Sequence, residues 1–74
     1  MIITVSTPLK GKEIIELLSD YNENGISFKY ISNKGIRYDF EVDGLEKDAA
    51  ISLVKEIIRA TQFGKVLYFS VLAE

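Results

Sequence analysis

The chain has no cysteine and no histidine. The first absence excludes disulfides and thiolate metal sites. The second removes the commonest general base and the commonest transition-metal ligand. No basic surplus exists either: 9 Lys and Arg are interleaved with 11 Asp and Glu, for a net charge of −2. A nucleic-acid binder ordinarily carries a basic surplus or stripe, so nucleic acid is disfavoured as a partner. The apolar runs are too short to span a bilayer. The N-terminal "MIITVS" lacks the positive start and longer apolar core of a signal peptide. Together these absences predict a cytoplasmic protein with no membrane segment.

Catalytic signatures are missing as well. A Ser/His/Asp set needs a histidine, and neither G-x-x-x-x-G-K-[ST] nor G-x-G-x-x-G occurs. No carboxylate sits in an apolar stretch that would raise its pKa. A non-enzymatic protein without cofactor or metal is expected. The alternatives kept open are a nucleic-acid-associated module and a small enzyme using carboxylates or lysines at a dimer interface.

What is present is a single small domain, residues 1–74. Domains of this size are marginal alone and often lean on a partner. Ile2 to Ser6 is β-branched and reads as a strand. Thr7 suits a helix N-cap and Pro8 the first helical position. Ile14, Leu17, Leu18 and Tyr21 then recur at helical spacing, and Asn24-Gly25 is a C-terminal stop. Ile26 to Ser32 alternates as a strand. Asn33, Lys34 and Gly35 suit a type I turn with a left-handed bulge residue, leading into a strand from Ile36 to Asp43. Asp43 and Glu46 form a capping box for a second helix with the stripe Ala50, Leu53, Val54, Ile57 and Ile58. After "TQFGK", Val66 to Leu72 is the last strand.

The order β-α-β-β-α-β predicts an α+β fold, the ferredoxin-like plait. Its four-stranded antiparallel sheet would run 4-1-3-2 with both helices on one face. The second and fourth strands would be edges.

"NKGIRYDFEV", Asn33 to Val42, invites comparison with the stacking strand of an RNA-recognition motif. Aligned on Lys34-Gly35, only Tyr38 fits that pattern. Strand parity separates Ile36, Tyr38, Phe40 and Val42 from Arg37, Asp39 and Glu41. Burying the charged set under the helices would cost several kcal/mol per charge. The apolar set therefore faces the core, and the open face of this strand is charged.

Three further features have functional potential. Thr7, Lys10, Gly11 and Lys12 surround the start of the first helix, where free N–H groups and the helix dipole favour a small anionic ligand. An ordinary capped helix with solvated lysines accounts for the same residues. Gly11 costs roughly 1 kcal/mol against alanine there, and permits close approach of a backbone or a ligand. Asp39, Glu41 and Asp43 share a strand face and could hold a hard cation; a solvated mixed-charge face, with Arg37 and Lys29 as pairing neighbours, is the better account of them, and no metal site is assigned. Lastly, "VLYFSVLA" is apolar on both parities. The helices can cover the Leu67, Phe69 and Val71 face but not Val66, Tyr68 and Leu72. With Ile2 of the first strand these form a patch suited to pairing with a second copy through the C-terminal strand.

The first half of the chain resembles an ACT domain, a regulatory plait module with a first strand, a Pro-Gly-Leu turn, an apolar helix and a Gly-Ile/Val-aliphatic strand. The comparable residues are Thr7, Pro8 and Leu9, then Ile14 to Leu18, then Gly25-Ile26-Ser27-Phe28. Thr7 stands where that family has an acidic residue. Leu9 stands where it has a glycine, and Gly11 follows two positions later. The resemblance implies a regulatory module, side-by-side pairing of domains, and an amino-acid ligand near this loop.

Overall fold

The computed structural model describes residues 1–73. Strands β1 (Ile2–Ser6), β2 (Asn22–Glu23), β3 (Ile26–Lys34), β4 (Arg37–Val42) and β5 (Ser70–Ala73) form one antiparallel sheet. Helices α1 (Gly11–Asp20) and α2 (Lys47–Arg59) complete a plait-like α+β fold, with a 3-10 turn at Phe63–Lys65. The sheet has five strands in the order β2-β3-β4-β1-β5, not the expected four in the order 4-1-3-2.

The extra strand arises at Asn24-Gly25. Both residues take positive φ, 55° and 76°. That is the signature of a tight two-residue hairpin, and it pairs Glu23 with Ile26 and Asn22 with Ser27. Asn24-Gly25 is therefore not the helix stop. The helix ends at Asp20, and Tyr21 leaves it in extended conformation. β2 pairs only with Ile26 and Ser27, so the rest of β3 keeps the edge position expected of it.

The helix starts differ for a related reason. The Thr7 hydroxyl, expected to cap α1, instead donates to the Leu9 carbonyl at 2.6 Å. Its backbone N–H donates to the Ile36 carbonyl at 2.9 Å. This closed local turn delays the helix to Gly11, with Lys10 at its N-cap in left-handed conformation (φ 65°). Pro8 thus precedes the helix. Likewise Asp43 does not cap α2: Glu46 is the N-cap, without a side-chain bond. Asp43 lies 3.9 Å from the N-terminal ammonium, the only ion pair among the described residues.

The core lies on one face of the sheet. Ile3 and Val5 of β1 stand opposite Phe40 and Tyr38 of β4, and Val71 of β5 stands opposite Val5. Ile14 and Leu18 of α1 and Ala50, Val54 and Ile58 of α2 close over them. Rings of Tyr30 and Phe40 pack tilted at 5.7 Å, as do Tyr21 and Phe28. The charged parity of β4 does face away from the helices, with Arg37 and Glu41 exposed. Ile36 leaves the apolar set: it is exposed in the turn with Gly35, which sits at φ 57° and joins Lys34 directly to Arg37.

The last strand is shorter than expected. Val66, Leu67, Tyr68 and Phe69 precede β5, so the expected alternation from Val66 to Leu72 does not form. Helix α2 ends in a tight knot instead. The Thr61 hydroxyl donates to the Ile58 carbonyl at 2.6 Å and accepts the Gly64 N–H at 3.0 Å. The Val66 and Leu67 N–H groups both return to the Phe63 carbonyl. Backbone donors held in this way are not available to a sheet ladder.

Candidate functional site

The apolar surface predicted around the C-terminal strand divides into two groups. Val66 and Tyr68 lie in the connection before β5 and are each 87% exposed. Their neighbours Phe63, Leu67 and Phe69 pack against the core. Ile2 and Leu72 lie on the open face of the sheet, where Leu72 stands opposite Thr4 and is 59% exposed.

Three cross-strand rows make up that open face. One runs Lys29–Glu41–Ile2, the next Ser32–Asp39–Thr4–Leu72, and the third Lys34–Arg37–Ser6–Ser70. The middle row carries the most detail. Thr4 and Asp39 form a non-hydrogen-bonded pair, the arrangement that brings side chains closest, and the Thr4 hydroxyl donates to Asp39 Oδ1 at 2.7 Å. Thr4 is only 3% exposed although no helix covers it. The register slips between Tyr30 and Ser32. Ile31 is the extra residue of this bulge and is exposed. Its membership of the otherwise polar Ser27–Lys29 parity was the signal in the sequence that it would be left outside the core.

The residues predicted for an anion site are brought to one end of the molecule, with different roles. Thr7 is 1% exposed, and its hydroxyl is engaged by Leu9. Gly11 is buried because Tyr38 packs on it: a Cβ there would collide with the Tyr38 hydroxyl and ring. The close approach that the glycine permits is thus to a side chain of β4. Lys10 and Lys12 are exposed. The Thr7–Ile36 bond puts the start of α1 at the same end of the molecule as the β3–β4 turn, whose flanking residues Lys34 and Arg37 face each other directly. No carboxylate lies within ion-pair distance of these four cations among the described residues. Nothing along the chain signals this shared end, because Lys34 and Arg37 are remote from Lys10 in sequence.

Two open grooves lie elsewhere. One is lined by Ser52, Lys55, Glu56, Arg59 and Ala60. The other runs between the helices and β2, lined by Leu17, Asp20, Tyr21, Asn22, Glu23 and Ile57. In the second, desolvation raises the Tyr21 phenol above its ordinary pKa; the charge of Glu23, its hydrogen bond and the charge of Glu56 raise it further. No group of three or more His, Cys, Asp or Glu side chains among the described residues is placed to hold a metal. No helix among the described residues is long and apolar enough to cross a membrane. The chain matches no protein-family model, no curated protein and no solved structure.

Proposed function

We propose that this chain is a non-enzymatic, cytoplasmic plait-like domain that acts as a homodimer, an interaction or regulatory module of ACT-like kind. The exposure of Val66 and Tyr68 in the connection before β5, and of Leu72 on the open face of β5 itself, carries this reading. Single exposed apolar side chains need no explanation, but several together mark an interaction site. At about 25 cal/mol per Å² of apolar surface, covering them would contribute several kcal/mol per subunit before association costs. β5 is also an edge strand with one side unpaired, an invitation to another chain.

Sedimentation equilibrium on the wild type and on Tyr68→Glu tests this. A dimer is expected for the wild type, weakened in the variant. A wild type that stays monomeric at high micromolar concentration ends the reading.

A second reading, compatible with the first, is a small anionic ligand held at the end bearing Lys10, Lys12, Lys34 and Arg37. The like-charged pair Lys34 and Arg37, directly opposite across the hairpin, supports it, since such a pair costs stability unless an anion relieves it. Inorganic phosphate should raise the melting temperature of the wild type and leave Lys34→Ala/Arg37→Ala unmoved. Equal shifts in both would end it.

A further inference from the structure

The fold gives the two ends of the molecule opposite net charge, although Glu13 lies in the first turn of α1 and Lys29 stands opposite Glu41. Strand β1 runs from Met1 toward Ser6, and α1 and β5 run the opposite way, from the Ser6 end. Lys10, Lys12, Lys34 and Arg37 therefore gather at the Ser6 end. Asp20, Glu23, Glu41 and Asp43 gather at the Met1 end, where the Val42 N–H bonds the Met1 carbonyl. Helix α2 repeats this polarity along the side of the molecule that carries the free edge of β5. Asp48 is in its first turn and Arg59 in its last, both exposed. The Arg59 guanidinium lies 5.9 Å from the centroid of Phe69, the residue before β5. About 16 Å of helix separates the two charges, at 1.5 Å per residue.

The free edge has a readable hydrogen-bonding pattern. Met1 and Thr7 direct their backbone groups to β4, through Val42 N–H to Met1 and Thr7 N–H to Ile36. Alternation along an antiparallel strand then directs Thr4 and Ser6 to β5. Their register partners, Leu72 and Ser70, are consumed by β1. Val71 and Ala73 are left with N–H and C=O facing outward.

We infer that the partner is a second copy of this chain, joined to the first by antiparallel pairing of the two β5 strands about a two-fold axis at Val71. This rests on the homodimer proposed above and specifies its geometry. The Val71 N–H of each copy donates to the partner's Val71 carbonyl, and the two sheets become one of ten strands. The axis reverses strand direction, so the basic end of one copy lies beside the acidic end of the other. The two α2 helices run antiparallel on the same side of the joined sheet, with Asp48 toward the partner's Arg59 and Arg59 toward the partner's Asp48. Opposed helix dipoles act in the same sense. A parallel arrangement would set like charges together, a penalty that selects against it.

The test combines charge reversal with hydrogen exchange. Asp48→Arg and Arg59→Asp should each weaken self-association about tenfold or more, since each substitution is met twice across the axis. An equimolar mixture of the two variants should associate as a heterodimer with wild-type affinity, which a variant that merely misfolds would not do. In the wild type, the Val71 and Ala73 amides should exchange slowly in the dimer and quickly on dilution to monomer. A wild-type dimer in which these amides exchange freely overturns this geometry and leaves the homodimer standing, as does one indifferent to both reversals. A wild type that never dimerises removes both.

Discussion

The Tyr38 ring of β4 rests directly on Gly11 at the first position of α1 and occupies the space of its missing β-carbon. Gly64 is in a similar position for a different reason, since a Cβ there would strike the Ile58 carbonyl. The two contacts differ in what can yield. The end of a half-buried tyrosine can swing aside, whereas the C-terminal carbonyl of a packed helix cannot. Gly11→Ala should cost about 1 kcal/mol after its gain in helix propensity, and Gly64→Ala about 3 kcal/mol. Urea denaturation measures both. A Gly64→Ala variant as stable as wild type would contradict the packing described.

Thr61 ties the same knot from its side chain, donating to the Ile58 carbonyl and accepting from the Gly64 N–H. Thr61→Val should lose about 1–2 kcal/mol, while Thr61→Ser should stay near wild type. Chemical denaturation of the two variants in parallel separates loss of the hydroxyl from loss of the methyl group.

On the open face, the Thr4–Asp39 bond joins the two central strands under no helical cover. Thr4→Val should cost about 1.5 kcal/mol, because the acceptor is a carboxylate. Asp39→Asn retains an oxygen acceptor and should cost less. A Thr4→Val variant as stable as wild type would show that the bond contributes nothing beyond side-chain shape.

Tyr21 supplies a pH dependence. Its phenol is raised above the ordinary value of 10.0 by desolvation first, then by Glu23 and Glu56. A group whose folded pKa is raised holds its proton more tightly when folded. Its contribution to stability is complete below pH 10 and is lost as pH rises through the folded value. Denaturation midpoints should therefore fall more steeply above pH 10 in the wild type than in Tyr21→Phe. Tyrosinate absorbance should show Glu23→Gln moving the Tyr21 titration back toward its ordinary range.

The sequence by itself determined the α+β class, because the periods of its apolar residues are local properties. Ile14 with Leu18, and Ala50 with Val54 and Ile58, each fill one helix face. Tyr38, Phe40 and Val42 fill one strand face, and parity alone kept Arg37 and Glu41 out of the core. The Asn-Gly pair at residues 24 and 25 was also readable: it fits a tight hairpin as well as a helix stop, and only the pairing of Asn22 and Glu23 with β3 chose between them.

Tertiary structure decided the rest, since those outcomes turn on competition for the same backbone groups. Thr7 was free to cap a helix until Ile36 and Leu9 took its N–H and its hydroxyl. Val66 to Phe69 had the composition of a strand, but the knot of Thr61, Phe63 and Gly64 bound the donors of Val66 and Leu67 first. The charges likewise alternate along the chain and separate only in space. Each reversal of direction returns the chain to one of two ends, and which end receives a lysine depends on where the turns fall.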